Sequence, residues 1–264
     1  MTSQYLLATT ILLVLLGSCT REKGDQLGIT PTEEVSGNIE VRIQPPGKFY
    51  GNPQPTPLTL LCRTEKQYPC ANYNIAHTIK RNGNGFEIEF RHVEKYAICL
   101  TTFGPANVNI PLEGLAEGNY ELKFVLGGKN NDYILEVRGG SYQIVQQGKK
   151  GNVSFAMDAV MTIPPNTLWG KMWDHSGDDI TPLFEQFNNG MNSKGATLKK
   201  LSPGNYWIFS VDNTGEMVIE QGSTGKGYFY QYTGDINSLE PLIDQFADSI
   251  TVRLQNNDGV LLTN

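Results

Sequence analysis

The sequence lacks most of what usually marks a transmembrane protein, a nucleic-acid binder or a hydrolase. No apolar run reaches the ~20 residues that a membrane-crossing helix needs, and the nearest, Leu6 to Leu16, is roughly half that length. Basic residues are outnumbered, 21 Lys and Arg against 27 Asp and Glu. The formal charge of −6 leaves no positive footprint for nucleic acid. Histidine is scarce, with His77, His92 and His175 the three in the chain. None lies near a Gly-x-Ser-x-Gly or equivalent cysteine elbow, so a nucleophilic triad has little support. A phosphate loop is missing too. Gly222-Ser223-Thr224-Gly225-Lys226-Gly227 has the composition of one, but its first glycines are three residues apart instead of five, and the chain runs on into a strand. A hairpin turn accounts for it. What abounds is Gly (28) and Pro (14) between short apolar runs, which favours strands joined by turns over a helical bundle.

The beginning of the chain is more specific. The apolar run ends in Leu16-Gly17-Ser18-Cys19. Its length suits the h-region of a secretory signal, although Met1 to Tyr5 carry no Lys or Arg. The arrangement resembles the lipobox of bacterial lipoproteins. That resemblance implies removal of residues 1–18, a diacylglycerol on the Cys19 sulfur, an acylated new amino terminus and a membrane partner reached through lipid. Each buried methylene contributes about 0.8 kcal/mol, so two or three chains anchor firmly where one does not. Residues 19–37 are polar and contain Gly24, Gly28 and Pro31, as expected of a flexible tether. Glu22 and Asp25 are similar to the acidic export signals of Bacteroidota surface lipoproteins.

With Cys19 acylated, Cys62, Cys70 and Cys99 remain, an odd number in an oxidising compartment. One bridge and one thiol is the simplest solution. Three pairings are open, and Cys70–Cys99 is favoured. Cys70 just precedes the strand-like run Asn72 to Lys80, and Cys99 lies inside another, Tyr96 to Thr102. Cys62 ends the apolar run Leu58-Thr59-Leu60-Leu61 and can be buried as a small hydrophobe.

Residues 38–162 read as strands almost throughout. Ile39-Glu40-Val41-Arg42-Ile43, Phe86-Glu87-Ile88-Glu89-Phe90, Tyr120 to Val125 and Tyr133 to Val137 alternate apolar and polar side chains. Ser141 to Val145 and Val153 to Met157 complete seven or eight short strands. Such regular spacing predicts a β-sandwich, most simply an immunoglobulin-like one, without the Trp that marks antibody domains. Thr64-Glu65-Lys66, Tyr68-Pro69-Cys70-Ala71-Asn72-Tyr73-Asn74-Ile75, Cys99 to Ala106 and Gly118-Asn119-Tyr120-Glu121-Leu122 together resemble a family of uncharacterised Bacteroidota lipoproteins with an N-terminal immunoglobulin-like domain. The resemblance covers roughly residues 58–140. It implies the same Cys70–Cys99 pairing and an envelope location, and it brings no activity.

Ile163-Pro164-Pro165 marks a boundary, and residues 163–264 change pattern. Thr167 to Trp173 is a strand, and Asp179 to Phe187 a helix with Pro182 in its first turn. Ala196 to Leu201, Tyr206 to Val211 and Gly227 to Tyr232 are further strands. Leu239, Leu242, Ile243, Phe246 and Ile250 recur at helical spacing behind a cap at Asp235 or Asn237. Ile250 to Leu254 and Val260 to Leu262 form a closing hairpin. This order suits a small α+β domain of the split βαβ, ferredoxin-like kind.

Chemistry is thinly represented. Asp174, His175, Asp178 and Asp179 could ligate a metal, although capping of the following helix by Asp178 or Asp179 explains the acids equally. His77 shares a strand face with Tyr73, Ile75 and Ile79, as a partly buried, hydrogen-bonded histidine would, whereas His92 is expected at an exposed strand end. Tyr206, Trp207, Phe209, Tyr228, Phe229, Tyr230 and Tyr232 form an aromatic group, divided by alternation between a core and an opposite sheet face that could grip a sugar or a protein. The expectation is a lipid-anchored envelope protein, periplasmic or at the outer-membrane surface, that binds an envelope protein or glycan without cofactor, metal or catalytic residues. The alternative is a metal-dependent envelope hydrolase using Asp174, His175 and Asp178.

Overall fold

The computed structural model describes residues 30–49, 52–99, 102–149, 151–174, 179–219 and 225–264. Cys19, residues 1–18 and the first part of the tether lie outside them. The chain is mainly β. Its first unit is built on β1 (Ile39–Gln44), β2 (Leu58–Tyr68), β3 (Asn74–Asn82), β4 (Gly85–Lys95), β5 (Gly104–Leu112), β6 (Gly118–Leu126), β7 (Lys129–Arg138) and β8 (Ser141–Gln147). With three short strands they make one sheet of eleven among the described residues. The order is Val153–Phe155, β1, β2, β5, β3, β4, β6, β7, β8, Ala159–Met161, with Thr30–Glu34 added beside β4. The sheet curls until Ala159–Met161 meets β1, so the inner faces of both halves share one core.

Alternation drives this closure. Ile39, Val41 and Ile43 point inward from β1, Tyr120, Leu122, Phe124 and Leu126 from β6, and Tyr133, Leu135 and Val137 from β7. In β4 the buried residues are Phe86, Ile88 and Phe90, then Val93. The parity changes because a bulge adds one residue to β4 between the pairs His77↔Phe90 and Ile75↔Val93. The curl has a weak seam. β3 meets β5 through the single pair Asn74↔Asn107, supported by the Asn107 N–H donating to the Tyr73 carbonyl at 3.1 Å.

Three expectations for this unit need correction. Thr30–Glu34, placed in the tether, pairs with His92–Lys95, and Val35 behind it is buried. Cys99 does not lie in a strand: β4 ends at Lys95, and the chain leaves the sheet there. His92 sits within β4, half-buried and 3.4 Å from Glu94, instead of at an exposed end.

Cys70 and Cys99 form a disulfide. Cys62 is a buried free thiol, facing the core from β2, and burial pushes its pKa up. A protonated thiol without solvent access is a poor nucleophile. Native protein should therefore resist iodoacetamide at Cys62 and take one label per chain only on unfolding, as intact-mass measurement would read. Rapid native labelling would contradict the buried placement.

The second unit centres on β9 (Thr167–Asp174) and α1 (Thr181–Ser193), followed by β10 (Lys226–Gln231), α2 (Glu240–Asp244) and β11 (Ile250–Asn256). Its sheet runs Thr197–Leu198, β10, β9, β11, Leu261–Thr263, with every neighbouring pair antiparallel. Leu168 and Met172 of β9, Tyr228 and Tyr230 of β10, and Val252 and Leu254 of β11 meet Phe184, Phe187 and Met191 of α1 and Leu242 and Ile243 of α2 in a separate core. Asp235 caps the 3-10 turn Ile236–Leu239, accepting from the Asn237 N–H at 3.0 Å. No helix among the described residues is long and apolar enough to cross a membrane.

The expected strand Tyr206 to Val211 does not form. Gly204–Asn205 and Ser210–Val211 make a minimal hairpin, and the chain reverses at Trp207. The alternation there is that of a turn whose ends are tied down.

Candidate functional site

Helices cover one face of the second sheet. Alternation along β9 sends Trp169, Lys171 and Trp173 to the other face, and along β11 it sends Arg253 and Gln255 there. Register then sets Lys171 directly opposite Arg253 and Trp169 opposite Gln255. Side chains so paired stand about 4.5–5.5 Å apart at their Cβ atoms, and like charges in that position are unfavourable. The contact of backbones beneath is close. A Cβ on Gly170 would lie 2.0 Å from the Arg253 carbonyl oxygen, which also accepts a hydrogen bond from the Tyr228 hydroxyl at 3.0 Å.

The turn 204–211 forms a wall over part of this face. The Tyr206 N–H donates to the Phe209 carbonyl, and the Ile208 N–H donates to the Tyr206 carbonyl, both at 2.8 Å. The second bond closes a three-residue γ-turn with Trp207 at its centre, at φ 72°. A bulky side chain is rarely held in that region, and the strain is of order 1–3 kcal/mol. The surroundings enforce it. Asn205 Oδ1 accepts from the Trp207 N–H at 2.8 Å while Asn205 Nδ2 donates to Ser210 Oγ. The Tyr206 ring stacks on Phe209 at 5.1 Å, and Phe209 packs against Phe229 and Trp169. Trp207 itself is half-buried against the core of the first unit, so the turn also joins the two units.

Between this wall, the open sheet face and Gln44 at the end of β1 lies a cavity of about 470 Å³. Trp169, Lys171, Trp207, Ile208, Arg253 and Gln255 line it. Its volume is within the ~300–1,000 Å³ usual for small-ligand pockets. Neither cation is neutralised by the protein: among the described residues, Lys171 and Arg253 make no ion pair or side-chain hydrogen bond. The contrast with other arginines is plain. Arg42 and Arg63 pair with Glu40, Arg91 with Glu89 and Arg138 with Glu136, while Arg81 donates to the Glu113 carbonyl at 2.9 Å. Gln44 and Gln255 are half-buried, and their amides likewise have no side-chain partner among the described residues.

A second cavity of about 440 Å³, on the far side of β10, has its cations committed. Lys199 Nζ donates to Thr167 Oγ1 and Gln231 Oε1, both at 3.1 Å, and burial lowers its pKa. Lys226 sits 4.2 Å over the Phe184 ring.

Of the residues singled out in the sequence, six of the seven aromatics are buried in cores; Trp207 is the half-buried one, and it borders the junction cavity together with Phe209. His77 is half-buried, with Nδ1 3.4 Å from the Ile75 carbonyl oxygen. Asp179 accepts from the Thr181 N–H at 3.0 Å, and its hydrogen bonds with Thr181 hold its pKa below the usual range. Asp174 ends β9, whereas His175 and Asp178 lie outside the described residues, as do Gly222 to Thr224. Among the described residues no three His, Cys, Asp or Glu side chains gather as a metal site would require. Comparison with protein-family models, curated proteins and solved structures gives no match. Function has to be sought in the cleft itself. Lys171, Arg253, Gln44 and Gln255 were not legible as a group: alternation in Trp169-Gly170-Lys171-Met172-Trp173 hints at a Trp-Lys-Trp face, but Arg253 joins it only through register.

Proposed function

We propose that this is a lipid-anchored cell-envelope protein of the Bacteroidota type that binds a ligand, without catalysis, in the cleft between its two units. One observation carries the binding role: Trp207, a bulky residue held at positive φ on the wall of an open cavity. Strain of this kind persists where the surroundings over-determine it, and such places are often ligand clamps. An immunoglobulin-like sandwich for the first unit is supported by its two half-sheets around one core. It is also supported by Tyr120, whose hydroxyl accepts from the Ala116 N–H at 2.8 Å and donates to the Ala116 carbonyl at 3.1 Å, like a tyrosine corner. A ferredoxin-like second unit is supported by its antiparallel order, with β9 between β10 and β11 and Thr197–Leu198 outside β10. Both architectures host binding modules, a link of analogy alone.

Two measurements test the proposal. Cys19→Ala should move the protein from the membrane fraction to the aqueous phase, and unchanged fractionation would defeat the anchor. For binding, tryptophan fluorescence of the full chain is titrated with defined envelope oligosaccharides, neutral and acidic, and with peptides ending in a carboxylate. A saturable change whose binding, followed by calorimetry, is also lost in Trp207→Gly, with the melting temperature kept, supports the cleft. Glycine relaxes the strained turn, which offsets packing lost with the ring, and the melting temperature reports whether the fold is kept. A response that survives the substitution places binding elsewhere.

A further inference from the structure

We infer that the cleft binds a carboxylated sugar, a hexuronate or related acidic ring within a glycan; the inference rests on the binding role just proposed. The cation pair comes first. Lys171 and Arg253 face each other across the β9–β11 ladder, where their repulsion disfavours the sheet, and no protein carboxylate offsets it among the described residues. A ligand carboxylate would. Arginine supplies a planar fork that takes a carboxylate bidentately, and lysine adds a compact charge beside it.

The neutral part of the cavity suits a sugar ring. Half-buried Trp207 offers aromatic surface, against which the C–H face of a pyranose can pack, and buried Trp169 borders the same cavity. Gln44 and Gln255 carry both donors and acceptors, and their unspent capacity matches ring hydroxyls, which also donate and accept. Other anions fit less well. Phosphate sites are commonly built from backbone N–H groups at a nest or a helix N-terminus, whereas here β9 has both edges paired in ladders. The same pairing removes the sheet edge that strand-wise peptide capture requires.

The test uses the full chain in detergent, calorimetry, and three trisaccharide probes. These are one of galacturonate, one containing glucuronate, and the methyl ester of the first, which keeps the ring and loses the charge. At least one acidic probe should bind roughly tenfold or more tighter than the ester, because a charge-assisted, bidentate arginine–carboxylate contact is worth about that much. Raising salt from about 0.05 to about 0.5 M should weaken the acid and leave the ester unchanged. Lys171→Met and Arg253→Gln should each bring the acid down to the level of the ester. Both should hold or raise the melting temperature of the unliganded protein, since each removes the repulsion.

Acid and ester binding equally, both lost in Trp207→Gly, would overturn the acidic-sugar assignment and leave the cleft in use. Failure of both acidic probes overturns the assignment as well. In that case a Trp207-dependent response to a neutral sugar or a peptide keeps the cleft, and no Trp207-dependent response to any probe rejects both.

Discussion

Phe187→Ala is expected to cost about 3–5 kcal/mol, the usual range for emptying a phenylalanine site in a packed core. The ring is fully buried and stands at the centre of the second core. Its centroid lies 5.4 Å from that of Tyr228, 5.7 Å from that of Phe246 and 6.3 Å from that of Tyr230. It therefore ties α1 to β10 and to the segment after α2 at once. Local terms cannot replace it. At 13 residues α1 is of marginal length as an isolated helix, its N-cap Ile180 contributes no side-chain bond, and its last turn has no basic residue. Small domains are stable by only about 5–15 kcal/mol in total, so the loss is a large share. Because the two cores are separate clusters, denaturant unfolding should show an earlier transition for the second unit with the first little changed. Phe187→Leu, which keeps most of the volume, should lose much less. A change below about 1 kcal/mol in Phe187→Ala would mean that α1 is held by something other than this core.

These cores were the most legible part of the chain. Period-two patterns in β1, β6 and β7 specify which residues enter, because one face of each strand is buried and a slip would expose it. Helical spacing does the same for Leu239, Leu242 and Ile243. Where legibility stops, the reason is physical. The bulge in β4 changes the buried parity between Phe90 and Val93, and nothing in the run Phe86 to Val93 signals where the extra residue goes. Tyr206 to Val211 has the composition of a strand, but tertiary packing of Tyr206, Phe209 and Val211 overrides that propensity and the chain turns at Trp207. The cleft is harder still. Gln44, Lys171, Trp207 and Arg253 come from four distant segments, and their meeting depends on strand order and on how one unit rests against the other. Six of the seven aromatics had a sufficient explanation in packing, and the seventh differs through its backbone, which composition does not reveal.

Loss of the Cys70–Cys99 bridge is expected to cost about 3.6 kcal/mol, the chain-entropy value for a loop of about 30 residues. The residues are 29 apart, and the loop contains β3 and β4 whole. The location gives the bridge a particular task. Cys70 follows the end of β2, and Cys99 follows the end of β4, so the disulfide joins the two halves of the curled sheet beside the seam where β3 and β5 share a single residue pair. A covalent tie there substitutes for ladder hydrogen bonds that are not made. The double variant Cys70→Ser/Cys99→Ser is the informative one, since a single substitution would leave a thiol able to scramble with Cys62. Denaturant unfolding should place its stability lower by about 3–4 kcal/mol, against little change for Cys62→Ser apart from the burial of one hydroxyl. Hydrogen exchange should quicken first at Asn107, whose N–H spans the seam, and then along β3. Cys62 reports the same event independently. Its partner across the ladder is Val108, one residue from the seam, so opening there should expose the thiol to iodoacetamide in the double variant under otherwise native conditions. Unchanged midpoint and unchanged exchange would show that the curl holds through its core alone and that the bridge guards only the loop it closes.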